Sequence, residues 1–366
     1  MQDNTYLDLI FGIRRSFPAS WCLTLQFCDF KLDVRTNSPD VQAGLQDYFQ
    51  SFLTLGAENP DCRITVHQAP VQEFPFQFQV NPPDPGKSKI KEESCELGQG
   101  RIVKKRLTGM HFIFGPREHL AVGPCLQNLN QVVNFINNRY IEHMLNQGAL
   151  LGHAAGVQLS GQGLAIAGNS GSGKSSLALR LLSQGFSYTS NDRLLVKENC
   201  SGLSMYGVAK MPRINPGTAL HNPVLQSLLS PEERQTLLKM SPEELWRLEQ
   251  KYDVPIEKFY GQDRFILQGP LDILLVLNWE HSQKPLQIQE FSPADRPELI
   301  RMFQKGTGLF YCPDPGRKLR HCLEDYCRIL EKARMFEICG GIDFEQAAQH
   351  CLQITETSNG EKRCRS

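Results

Sequence analysis

The sequence predicts a mixed α/β domain preceded by a smaller α+β domain, and three observations lead there. The chain has 366 residues, enough for two full cores. From about residue 150 onward, short apolar strand candidates alternate with amphipathic helix candidates, the pattern of a sheet covered by helices. Before about residue 120, period-two stretches dominate and one helix signal stands among them. The expected division is an accessory α+β domain at 1–125, an α/β domain at 126–356 and a disordered tail at 357–366.

In the first part, Trp21, Leu23, Leu25 and Phe27 alternate, as do Phe30, Leu32 and Val34, which suggests paired strands. Ser38-Pro39-Asp40 opens a helix carrying Leu45, Phe49 and Phe52, with serine as cap and proline in the first turn. Further strands are expected at 63–68, 76–80, 102–107 and 110–114, with a Pro-rich loop at 81–89. A long amphipathic helix is expected over 126–145 from Val132, Val133, Phe135, Ile136, Tyr140 and Met144. A strand at 150–159, a turn at 160–163 and a strand at 164–167 follow. Ser230-Pro231-Glu232-Glu233 and Ser241-Pro242-Glu243-Glu244 read as two capping boxes. Strands at 271–279 and 286–291, a helix opening at Ser292, then helix, strand and helix at 318–332, 334–339 and 343–353 complete the alternation.

The chemistry concentrates in Gly168-Asn169-Ser170-Gly171-Ser172-Gly173-Lys174-Ser175, which matches G-x-x-x-x-G-K-[ST] in full. Glycines free the backbone to bring its N–H groups close to phosphate oxygens. Lys174 is placed to reach β- and γ-phosphates, and the Ser175 hydroxyl to hold Mg²⁺. The apolar run Leu164–Ala167 before it and Leu177, Ala178, Leu181 and Leu182 after it make a strand, loop and helix, so the loop amides sit at a helix N-terminus that favours anions. Every loop residue, and Ser176 just beyond, is a candidate nucleotide contact.

Composition narrows the partners. Basic and acidic residues are equal at 39 each, which argues against nucleic-acid or membrane binding by bulk charge. The N-terminus lacks a basic signal-peptide start and no apolar run approaches membrane-spanning length, so a cytoplasmic location is expected. Twelve cysteines are scattered without a CxxC pair, and their spacing fits neither a zinc knuckle nor a zinc ribbon.

Phosphoryl transfer also needs a carboxylate for metal or proton. Asp192, beside Asn191 on a strand expected over 188–196, is the candidate. His153 stands in Gly152-His153-Ala154-Ala155-Gly156, fifteen residues before Gly168, where a hairpin would return it to the loop. Arg213 and Arg317 are candidates for a guanidinium clamp on triphosphate oxygens.

His153-Ala154-Ala155-Gly156, the segment Ala167–Ser175, Gly185 and Asn191-Asp192 together resemble the catalytic domain of HPr kinase/phosphorylase, and more closely its bacterial HprK-related relatives of the B type. The resemblance spans about 150–200. It implies a P-loop kinase domain of the HPr kinase and phosphoenolpyruvate carboxykinase type, using ATP and Mg²⁺ to phosphorylate a hydroxyl. By position it implies that Lys174 and Ser175 bind phosphate and metal, that His153 lies near the transferred phosphate, and that Asp192 is the second acid of a pair. The first acid is Asn191 here, and Ser176 replaces a glutamate, so the HPr-specific phosphorylase reaction is not expected. Arg317, in Pro315-Gly316-Arg317, matches part of a further family segment.

The leading expectation is an ATP-dependent kinase with catalytic residues Asp192, His153 and Lys174, Asp192 acting as general base or, with Ser175, as metal ligand. Its acceptor is a protein or metabolite; nucleic acid and membrane are not expected partners, and a homo-oligomer is left open. A catalytically weak module that senses ATP is the alternative, and an NTP hydrolase switch stands behind both.

Overall fold

A computed structural model of the chain describes every residue except 1, 57–58, 83–88, 99, 117, 242–243, 246–247, 249, 315, 317–318 and 364–366. The chain is a mixed α/β protein that divides into two compact units, residues 1–147 with 307–319, and residues 148–306 with 320–366. Most of the loop expected at 81–89 lies outside the described residues. No helix among the described residues is long and apolar enough to cross a membrane.

The first unit is built on nine strands: β1 (Trp21–Phe27), β2 (Phe30–Thr36), β3 (Leu53–Thr54), β4 (Cys62–Gln68), β5 (Gln79–Val80), β6 (Glu92–Leu97), β7 (Gly100–Lys105), β8 (His111–Phe114) and β9 (His119–Gly123). They form one sheet in the order β3-β1-β2-β4-β9-β8-β7-β6-β5. Alternation sorts its side chains. Ile102, Ile113, Leu120 and Val122 join Ile10 and Ile13 of helix α1 (Gln2–Ser16), a helix the sequence reading missed. Phe112 and Phe114 point the other way, onto Phe135 of helix α3 (Leu129–Asn146), while Tyr140 of α3 meets Phe27 and Phe30. Helix α2 (Pro39–Tyr48) starts as expected, with Ser38 Oγ accepting from Val41 N.

Helix α3 was expected to open the second domain. It belongs to the first unit because its aromatic side covers that unit's sheet, so the boundary falls after Gln147 rather than near 125. The segment 307–319 also belongs to this unit. Phe310 stacks on Phe114 at 5.5 Å, Cys312 N donates to Glu142 Oε2 at 2.6 Å, and Arg139 donates to the Phe310 carbonyl.

Two fully buried histidines give this unit a pH dependence. Burial lowers His67 and His111 from 6.5 to about 4, against the hydrogen bond that His67 Nδ1 donates to the Phe17 carbonyl and with the Lys104 charge adding to the effect for His111. Both are neutral in the fold while the unfolded chain protonates near 6.5, so unfolding takes up protons. Stability should therefore fall as pH drops from about 6.5 toward 4 and level off below, by about 3 kcal/mol per histidine. Thermal unfolding at neutral pH and near pH 4.5 should show His111→Leu losing less stability on acidification than wild type. Equal losses would remove His111 from the account.

The second unit holds β10 (Leu150–Gly152), β11 (Ala154–Leu159), β12 (Gln162–Gly168), β13 (Ser187–Ser190), β14 (Leu194–Asn199), β15 (Gly202–Tyr206), β16 (Arg213–Ile214), β17 (Tyr252–Asp253), β18 (Gln268–Pro270), β19 (Ile273–Leu277), β20 (Gln287–Glu290) and β21 (Arg334–Cys339). Its main sheet runs β13-β11-β12-β19-β21-β20, with β12, β19 and β21 parallel; a second sheet runs β10-β14-β15-β18. The central strands are buried on both faces, which explains their unbroken apolar runs. Leu164, Ile166, Ile273 and Leu275 face helix α4 (Lys174–Ser183) and the helix Phe344–Arg363; Ala165, Ala167, Leu274 and Val276 face the helices Pro297–Phe303 and Leu323–Leu330. Both capping boxes form: Ser230 exchanges hydrogen bonds with Glu233, and Ser241 with Glu244.

The helix Phe344–Arg363 continues through most of the stretch expected as a disordered tail. It is docked through buried Ala347, Ala348, Cys351 and Thr355, and no proline interrupts it.

Candidate active site

Two expected strands are each broken at the residue of interest, and the breaks build the site. The run 150–159 divides at His153: β10 pairs with β14 in one sheet, β11 with β12 in the other. The run 188–196 divides at Asn191–Arg193: β13 pairs with β11, β14 with β10. Asp192 is therefore a turn residue rather than a strand residue. Both chains cross between the same two sheets at one level, and the crossing brings His153 Nε2 to 3.1 Å from Asp192 Oδ1. The β11–β12 register pairs Ala154 with Ala167, so His153 stands across from the strand end that enters the phosphate loop.

Gly152 makes the crossing possible. A Cβ there would lie 2.1 Å from the Phe303 ring, where Gly152 bridges Gln304 and His153 N donates to the Phe303 carbonyl at 2.6 Å. Gly152→Ala should displace this edge at a cost of about 1–3 kcal/mol. A thermal midpoint within a degree or so of wild type would show that Phe303 yields freely.

The loop itself links β12 to α4. Gly173 caps α4 with φ 89°, and a Cβ on it would come within 2.5 Å of the Phe344 ring. Trp279 Nε1 donates to the Ser172 carbonyl at 2.8 Å and fixes the loop from the side. Lys174, only 7% exposed, folds back over its own loop, its Nζ donating to the carbonyls of Gly168 at 2.8 Å and Asn169 at 2.9 Å. Burial, opposed by the Asp192 charge and helped by Lys305, holds this lysine down to about 8. Ser172 Oγ is buried without a hydrogen-bond partner among the described residues. Ser176 Oγ lies 2.9 Å from Thr218 Oγ1, so its hydroxyl already has a partner.

A residue that sequence reasoning missed completes the cluster. Lys305 Nζ donates to Asp192 Oδ2 at 3.2 Å. Its backbone is held by a hydrogen bond from Lys305 N to the Leu151 carbonyl, beside the Gly152–Gln304 bridge. No local motif marks it, because 113 residues separate it from Asp192. Burial tends to raise the Asp192 pKa, but the hydrogen bond from His153 and the Lys305 charge outweigh it and hold the carboxyl well below the usual carboxylate range.

Arg213, on β16, pairs with Asp253 of β17 at 3.1 Å rather than with the loop. Arg317 lies outside the described residues. Among the described residues, no group of three or more His, Cys, Asp or Glu side chains could hold a metal ion. The Ser175 hydroxyl, the Asp192 carboxylate and Asn191 Oδ1, buried without a hydrogen-bond partner among the described residues, are nevertheless hard oxygen donors. They suit Mg²⁺ brought in by phosphate oxygens, not a metal held by protein groups alone.

No family model matches the chain, and no curated protein matches it. The solved structure of the Hpr(Ser) kinase/phosphatase from Coxiella burnetii is similar over 58% of this chain and 96% of its own, at 14% identity and a TM-score of 0.27. A score that low establishes no shared fold, so the chemistry rests on the geometry above.

Proposed function

We propose that the chain binds ATP at Gly168–Ser175 and transfers the γ-phosphate to a hydroxyl of a protein or small-molecule acceptor. The observation that carries this reading is the sheet crossing that sets His153 and Asp192 beside the strand entering a complete phosphate loop. The motifs that resemble HPr kinase/phosphorylase agree with it.

Lys174 leaves the Gly168 and Asn169 carbonyls for the β- and γ-phosphate oxygens, a short movement for an ammonium already at the loop. Loop amides and the N-terminus of α4 stabilise the charge that spreads over the phosphoryl group. Ser175, Asp192 and Asn191 would hold Mg²⁺, which neutralises phosphate charge when bound. The acceptor oxygen forms its bond to the γ-phosphorus as the bond to the bridging oxygen of ADP breaks, and the hydroxyl proton passes to the His153–Asp192 pair. A carboxyl held so low is a weak base by itself. Asp192 therefore serves chiefly as fixed charge and orienting acceptor, with His153 beside it.

A nucleotide sensor with slow turnover is the second reading, favoured by Lys305 on Asp192 and by Asn191 in place of an acid. Incubation of the purified protein with γ-labelled ATP, Mg²⁺ and native lysate separates the two. A labelled acceptor that appears with wild type and not with Asp192→Asn is the expected result. Tight nucleotide binding without any label would favour the sensor.

A further inference from the structure

Both oxygens of Asp192 are engaged, and by partners that are held in different ways. His153 Nε2 stands 3.1 Å from Oδ1, and Lys305 Nζ 3.2 Å from Oδ2. His153 carries a short side chain on the crossing strand, with its backbone N donating to the Phe303 carbonyl at 2.6 Å. Lys305 is anchored in the same edge, its N donating to the Leu151 carbonyl at 3.1 Å, but its ammonium ends a flexible four-carbon stem. The Lys305 side chain is 25% exposed and that of Asp192 56%. An ion pair this open contributes little to stability, so the ammonium can change its acceptor at small cost.

The edge that carries Lys305 leads to the phosphate loop through paired backbone. Residues 303–305 run along 151–153, and Ala154, next in the chain, pairs with Ala167 where the strand enters the loop. The charges of Lys305 and Asp192 both bear on Lys174, in opposite directions. Charge then decides what an incoming triphosphate does. Its transferred group spreads negative charge over three oxygens, and phosphoryl-transfer sites commonly set a second cation against it besides the loop lysine. Arg213, expected to supply that cation, is paired with Asp253, whereas Lys305 is in direct contact with Asp192. A terminal phosphate carries more charge than a carboxylate and offers the ammonium more acceptor oxygens. We propose that Lys305 is the second phosphate-contacting cation of the site, exchanging Asp192 for the γ-phosphate when a nucleoside triphosphate occupies the loop. Asp192 then keeps His153, and its Oδ2 is released as a hard donor for Mg²⁺. The exchange lets one carboxylate be the counter-ion of a lysine in one state and a metal ligand in the other. This rests on the phosphotransferase reading and assigns a further residue to the same site.

The test titrates the full chain calorimetrically with AMP-PNP and, in separate runs, with ADP, both in Mg²⁺. Wild type should prefer AMP-PNP by about tenfold or more, and Lys305→Met should bring that ratio to within about threefold by weakening AMP-PNP alone. Lys305→Gln replaces it should the methionine variant fail to fold. In an Asp192→Asn background Lys305→Met should cause the same loss, because the contact is to phosphate. A preference that Lys305→Met leaves intact in that background would mean that Lys305 only screens Asp192, and the proposal is overturned. Equal affinity of wild type for the two nucleotides, or equal weakening of both by Lys305→Met, also overturns it while nucleotide binding stands. If wild type binds neither nucleotide, the phosphotransferase reading falls and takes this assignment with it.

Discussion

Lys174→Ala should lower nucleotide affinity by about 100-fold, the loss expected for a buried, charge-assisted contact to phosphate. The ammonium is already inside the loop, held by two backbone carbonyls of that same loop. Binding ATP exchanges those neutral acceptors for charged ones, so the lysine contributes more to the complex than to the free protein. The fold should survive. Alanine is the best helix former, the position opens α4, and the two released carbonyls can be hydrated. Fluorescent-nucleotide titration alongside a thermal midpoint checks both halves. A variant that keeps wild-type affinity would show that the loop does not bind phosphate through this residue, and the proposed function would lose its foundation.

Asp192→Asn should reduce turnover by about 10²–10³-fold and leave nucleotide affinity near wild type. The substitution is nearly isosteric and keeps an oxygen that can accept from His153 or Lys305, but it removes the one negative charge that both contact. In the absence of Mg²⁺ the variant should bind ATP somewhat more tightly, because a carboxylate no longer repels the phosphates. With Mg²⁺ that gain should vanish. Steady-state rates with the labelled acceptor, and titrations with and without Mg²⁺, read the two effects separately. An unchanged rate would place Asp192 outside the chemistry and leave it as the counter-ion of Lys305.

How much of this could be read from the chain follows from how local each feature is. Capping boxes at Ser230 and Ser241 and the cap at Ser38 involve residues three apart, and all three form. Helix α1 also carries a local signal, with Ile10 and Ile13 at helical spacing. The strand runs at 150–159 and 188–196 were placed correctly and joined wrongly. Periodicity reports that a residue is extended and buried, not which sheet it pairs with, so the divisions at His153 and Asn191–Arg193 were invisible. Helix α3 was predicted within a few residues, yet its apolar stripe does not say which sheet it covers.

The phosphate loop is the part that the sequence determined by itself. Its geometry depends on glycines at defined spacing between a strand and a helix, all within about a dozen contiguous residues. The surroundings of Asp192 were decided by tertiary structure. His153 reaches it through a hairpin register, and Lys305 from 113 residues away beside an edge bridge. Electrostatic environment depends on distance in space, and a linear pattern carries that only where the fold keeps neighbours in sequence neighbours in space.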